Sequence, residues 1–205
     1  EELKSFEEKV LSAETKLKAL EEQLFVQLRK KLSDQSEALL HNAKILGALD
    51  CLWSFSRASK ERSYQKPEMH LDWSLEIEKG RHPVIETKVA PGTFIPNSVN
   101  LKKDACRTLL ITGPNMAGKS TIMRQVALIS IMAQAGCFVP AQKAVLPIID
   151  SVFTRIGSSD NLSQGQSTFM VEMSEMARII EKATEKSLLI IDEIGRGTST
   201  YDGLS

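Results

Sequence analysis

The chain has 205 residues, 42% hydrophobic and 25% charged, enough for one substantial core or for one domain plus an appendage. Lysine plus arginine and aspartate plus glutamate number 26 each, so net charge lends no support to a large nucleic-acid footprint across this segment. Cys51, Cys106 and Cys137 are few, far apart and without metal-ligand spacing, which argues against a disulfide framework and fits a reducing compartment.

Residues 1 to 32 contain no Gly or Pro, and Leu3, Phe6, Val10, Ala13, Leu17, Leu20 and Leu24 alternate spacings of three and four, one seam of a long helix. Ser33 and Asp34 offer N-cap oxygens for a second helix over about 35–58, and the expectation is an antiparallel helical pair. Its mixed charges, with Glu14 and Lys18 four apart, read as a solvated face. The opening "EELKSFEEKV" is acidic and amphipathic rather than a signal peptide, and no apolar run approaches the roughly eighteen residues of a membrane span. A cytoplasmic location is expected.

After the polar stretch broken by Pro67, short β-rich runs appear, which sets a domain boundary near 74: a helical region over 1–74 and a second domain over 75–205. "TLLIT" (108–112), "SVFTRI" (151–156) and "SLLIID" (187–192) are the apolar runs of strands covered on both faces. Helix-like "KSTIMRQVALISIMAQA" and "STFMVEMSEMARIIEKA" lie between them, so an α/β domain with a largely parallel sheet is expected.

Between "TLLIT" and the first of those helices, Gly113, Pro114, Asn115, Met116, Ala117, Gly118, Lys119 and Ser120 match the phosphate loop G-x-x-x-x-G-K-[ST] in its required strand-before, helix-after context. Small residues let backbone N–H groups turn around phosphate oxygens, and the helix directs its positive end at the same anion. Lys119 is expected at the β and γ phosphates, Ser120 at Mg²⁺ and Thr121 at the α phosphate. Asp192 closes an apolar strand, where a carboxylate orients Mg²⁺ or its water, and the adjacent Glu193 is the candidate general base for ATP hydrolysis. His70 and His82 have no paired ligands, and His82, before Pro83, reads as structural.

With these elements in place, "GRHPVIE", "TGPNMAGKST", "VPAQKA", "FTRIGSSDNLSQGQSTFMVEM" and "DEIGRGTSTYDG" together resemble the MutS family of DNA mismatch repair ATPases, in its bacterial branch. The resemblance implies a P-loop ABC-type ATPase domain over 75–205, preceded by helices like the family's lever and clamp return, and a homodimer that sandwiches each ATP between subunits. A signature serine then reaches the partner's γ phosphate. Ser163 in "LSQGQ" and Ser167 in "GQSTFM" compete for that role, and Ser167, at the start of a helix and on the family's position, is preferred. Phe94 matches the aromatic that stacks on adenine, and Asn115 would orient water or the γ phosphate. Ala117 replaces a glycine common in the family, narrowing the backbone choices.

The resemblance further implies mismatched double-stranded DNA as a ligand of domains outside this segment, a downstream MutL-like repair factor as partner, no membrane, and a nucleoid-associated site of work. The family's Phe-x-Glu mismatch reader is not expected in Phe6-Glu7-Glu8, because Phe6 sits on the helical seam. A histidine switch and a helical dimerisation element are expected downstream of Ser205. The competing reading, a transporter-type or chromosome-maintenance ATPase, requires a glutamine-bearing lid and a clean LSGGQ, neither of which is found. A non-enzymatic nucleotide-dependent scaffold is the third reading.

Overall fold

The computed structural model describes residues 2–114, 117–156 and 168–192, and divides into two units, Glu1–Ser54 and Phe55–Ser205. The first holds helix α1 (Glu2–Asp34) and most of α2 (Ser36–Arg62). The expected antiparallel pair is corrected here. Only Gln35 separates the helices, its N–H donating to Leu32 O (3.2 Å) and its carbonyl accepting from Leu39 N–H (3.0 Å), so helical bonding passes through the break instead of reversing. A one-residue interruption leaves no loop in which a chain can double back. The seam is consequently exposed, with Phe6, Val10, Leu17, Leu20 and Leu24 all more than half accessible.

In the second unit, α2 ends where Ser63 adopts a left-handed φ of 54° and Tyr64 N–H returns to Ser59 O (2.9 Å). Strands β1 (Glu68–His70), β2 (Ser74–Gly80), β3 (Asn97–Lys102) and β4 (Lys143–Pro147) make a sheet of order β1-β4-β2-β3. β1 is parallel to β4, but β2 is antiparallel to both β4 and β3. β5 (Val152–Arg155) and β6 (Leu188–Ile191) form a separate parallel pair. The largely parallel sheet expected from alternating strands and helices therefore holds only for the β5–β6 and β1–β4 pairs, because the chain from 74 to 102 forms an antiparallel ladder of its own.

Helix α3 (Lys119–Gln134) joins the two sheets. Its Val126, Ala127, Ile129 and Ala133 are buried in one cluster with Leu75 and Ile77 of β2, Ala144 and Leu146 of β4, and Leu188 and Ile190 of β6. Helix α4 (Thr168–Lys182) buries Glu172 and Ile179.

"TLLIT" is not a strand. Leu109 and Leu110 are 46% and 84% exposed, and residues 107–111 line a cavity of about 470 Å³ across from β6, with Trp73, Leu101 and Met123 on its walls. An apolar run becomes a strand only by pairing its backbone, and the cavity separates this one from β6.

Gly80 follows a bulge in β2, where the register with β3 shifts and Lys79 takes a φ of 47°. A Cβ on Gly80 would lie 2.6 Å from Gln125 Nε2 and 2.7 Å from Ile77 Cγ2. Since both neighbours are fully buried, we predict that Gly80→Ala destabilises the fold by about 1–3 kcal/mol. An unchanged urea midpoint would show that the α3–β2 contact relaxes freely.

Candidate functional site

The loop between residues 112 and 119 turns into α3 through Gly118, which occupies the N-cap at φ 92°, a left-handed conformation that a side chain would strain. Ile122 N–H donates to Gly118 O (3.0 Å), closing the first helical turn, while Ala117 N–H reaches Pro114 O (3.3 Å). Lys119, the first helical residue, folds its ammonium back onto the loop, donating to Gly113 O at 2.6 Å and Pro114 O at 3.2 Å. Two loop carbonyls thus hold a cation at the positive end of a helix, a place that attracts anions.

Ser120 Oγ donates to Asp192 Oδ2 at 2.5 Å, a contact between residues 72 apart in sequence. Asp192 is 8% exposed and leaves β6 with its N–H donated to Arg155 O (2.6 Å), so the parallel β5–β6 ladder fixes where its carboxylate emerges. Both residues expected at Mg²⁺ are therefore adjacent. One hydroxyl and one carboxylate are the hard oxygen donors that Mg²⁺ takes, and among the described residues no group of three His, Cys, Asp or Glu gathers around a metal. Such a pair fits an ion that completes its octahedron with water and phosphate oxygens.

Thr121 lies in the first turn of α3 and is half-buried. Phe94, also half-buried, lies in the loop before β3. Asn115, Met116, Ser163, Ser167 and Glu193 lie outside the described residues.

Three residues that sequence reasoning passed over bond to one another. Arg81 Nε donates to Glu86 Oε2 at 2.6 Å, and Tyr64 Oη donates to the same carboxylate at Oε1, 2.9 Å. Arg81 and Glu86 belong to the word "GRHPVIE", read only for its resemblance, while Tyr64 lies in the polar stretch before Pro67 and carried no signal. Between them, His82 is 6% exposed, and its Nδ1 accepts from Val84 N–H (3.2 Å) and Ile85 N–H (3.3 Å), which caps the turn over 82–86. The structural reading of this histidine fits that geometry. His70 Nε2 lies 3.9 Å from Glu68 Oε2 in an exposed pair.

A glycine turn opening a helix, a lysine folded back onto that turn and a serine against the carboxylate that follows β6 are the arrangement the G-x-x-x-x-G-K-[ST] pattern leads one to expect. Residues 109–205 match the family model described as MutS domain V. Across all 205 residues the chain is 54% identical to the DNA mismatch repair protein MutS of Caldicellulosiruptor saccharolyticus, covering 24% of that protein. It is 56% identical over 204 residues to that of Protochlamydia amoebophila (24% covered) and 48% over 206 to that of Christiangramia forsetii (24% covered). The chain belongs to the MutS family and spans about a quarter of the length of these relatives. No helix among its described residues is long and apolar enough to cross a membrane.

Burial holds the His82 imidazole below its usual pKa, the Arg124 charge adding to the effect and Glu86 opposing it. A group with a lowered folded-state pKa binds fewer protons folded than unfolded. Its stabilising contribution is present above about pH 6.5, the unfolded value, and is lost as pH falls through the folded value. We predict that stability drops between pH 7.5 and 5.5 and that His82→Asn, whose Oδ1 replaces the Nδ1 acceptor, flattens that slope in urea melts. Equal slopes in both proteins would assign the pH dependence to other groups.

Proposed function

We propose that this segment is the ATP-binding and hydrolysing engine of a DNA mismatch recognition protein, coupling nucleotide state to the grip on DNA. The observation that carries the reading is the Ser120–Asp192 contact beside the lysine-filled glycine loop, which gathers the phosphate and metal elements of one site. Residues 1–74 act as lever or connector and 75–205 as the ATPase domain, working as a homodimer. Mismatched double-stranded DNA is held by other parts of the full-length protein, which passes its signal to a MutL-like factor in the cytoplasm.

Backbone N–H groups of Gly113 to Ser120 hold the phosphates, and Lys119 leaves the Gly113 and Pro114 carbonyls for the β and γ oxygens. Asn115 orients the γ phosphate or the water, Thr121 meets the α phosphate, and Phe94 stacks on adenine. Ser120 and Asp192 hold Mg²⁺, which supplies charge neutralisation to the phosphate oxygens. Glu193, next in sequence to Asp192, accepts the proton of the attacking water as ATP gives ADP and phosphate. Ser167 of one subunit addresses the γ phosphate on its partner.

Two substitutions in the full-length protein test the assignment. Lys119→Ala removes the cation facing the charge-dense phosphates, and the expected result is loss of high-affinity ATP binding by calorimetry. Wild-type affinity in that variant would sink the phosphate-loop reading. Glu193→Ala is expected to bind ATP nearly as wild type but to hydrolyse it about a hundredfold more slowly or worse, as loss of a general base should. If the single-turnover rate is unchanged, the base lies elsewhere.

A further inference from the structure

The carboxyl end of α2 and the middle of α3 are joined by a set of contacts within the second unit. Arg81 Nη2 donates to the carbonyl of Arg62 at 3.0 Å, the last residue of α2, so a guanidinium caps the negative end of that helix. The same guanidinium is bound at Nε by Glu86, stands 6.0 Å from the centre of the Tyr64 ring, and is only 24% exposed. Glu86, 13% exposed, is held from its other oxygen by Tyr64, which is 6% exposed. Arg62 in turn donates from Nη1 to Pro83 O at 3.4 Å, so the helix end and the 81–86 turn grip each other from both sides.

The residue before Arg81 is Gly80, and it has no room for a side chain because Gln125 of α3 presses on its backbone. Gln125 is fully buried, and both polar atoms of its amide lack hydrogen-bond partners. Packing and van der Waals contact set its position, with no hydrogen bond to tether it. Six residues N-terminal to Gln125 on the same helix is Lys119, in the candidate phosphate loop. From that loop to the last carbonyl of α2 there are therefore two steps, Gln125 against Gly80 and Arg81 against Arg62, and neither crosses a flexible exposed side chain.

We propose that Arg81, clamped by Glu86 and Tyr64, is a positioning residue that ties the end of α2 to the phosphate-loop helix, so that nucleotide binding alters the order of the last turns of α2. This rests on the nucleotide reading above and adds to it the residues that carry its state out of the site. A shift of α3 when phosphate draws Lys119 from the loop carbonyls displaces Gly80. Because Arg81 is the next residue and is fixed at both ends of its guanidinium, the helix cap tightens or loosens with it.

The test is hydrogen–deuterium exchange of residues 55–64 in the full-length protein with and without a non-hydrolysable ATP analogue and Mg²⁺, alongside calorimetry of the analogue. In the wild type, exchange in the last turns of α2 is expected to change by about five- to 150-fold on binding, the usual span of a coupling between sites. Arg81→Gln is expected to bind the analogue within about threefold of wild type while losing most of that change. Tyr64→Phe, which keeps the ring and deletes one bond to Glu86, is expected to lose part of it and guards against misfolding of the arginine variant. A full nucleotide-dependent change in folded Arg81→Gln, or none in a wild type that binds the analogue, overturns the proposal. Failure of the wild type to bind the analogue overturns the nucleotide reading itself, and this proposal with it.

Discussion

The seat of α3 between the two sheets is the constraint on which the candidate site depends. Val126, Ala127, Ile129 and Ala133 are all less than a tenth exposed and face apolar residues of β2, β4 and β6 at once. Each of the larger ones contributes about 1.5–3 kcal/mol by leaving water, so the helix has one well-defined resting place. Its amino end carries the glycine loop, and β6, part of its floor, carries Asp192. Both halves of the site are thus positioned by burial a turn or more away from the polar atoms that do the work.

That arrangement accounts for an interaction that is otherwise costly. Asp192 is a nearly buried carboxylate, which is destabilising unless something donates to it. Ser120 supplies that donor, and the parallel pairing of β6 with β5 supplies the bond at the Asp192 backbone. On the loop side, the Lys119 ammonium satisfies two carbonyls that the turn points inward. Cation and carboxylate are each occupied by neutral partners, Ser120 and the loop carbonyls, and are not paired with each other. Both therefore remain electrostatically available to an anion and a cation arriving together.

What could be read from the sequence follows the range of the interactions. α3 and α4 begin and end within a residue or two of their helix-like runs, and β5 and β6 lie inside "SVFTRI" and "SLLIID", because periodicity and cap chemistry are local. Ser120 and Asp192 were legible as a pair because each belongs to a motif with its own chemistry. Partner choice was not legible. The seam from Phe6 to Leu24 is a correct reading of one helix and says nothing about which surface faces it, so the antiparallel return did not follow. "TLLIT" has the composition of a buried strand, but strand formation is decided by a neighbour's backbone. The Arg81–Glu86–Tyr64 cluster was equally hidden, since Tyr64 lies 22 residues from the carboxylate it bonds.

The contrast between these residues and the phosphate loop bears on how such a unit divides its labour. The loop motif is eight consecutive residues, and its entry into α3 is set by Gly118 and the helix start. Asp192 and Arg81 reach their places only through long-range structure, the β5–β6 ladder for one and the closure of β2 onto α3 for the other. A perturbation of the core that spares the loop sequence therefore acts first on the Asp192 carboxylate and on the helix cap. Under the proposed function, phosphate binding by the loop and its use by the rest of the unit are consequently separable, because only the second inherits the cooperativity of the core.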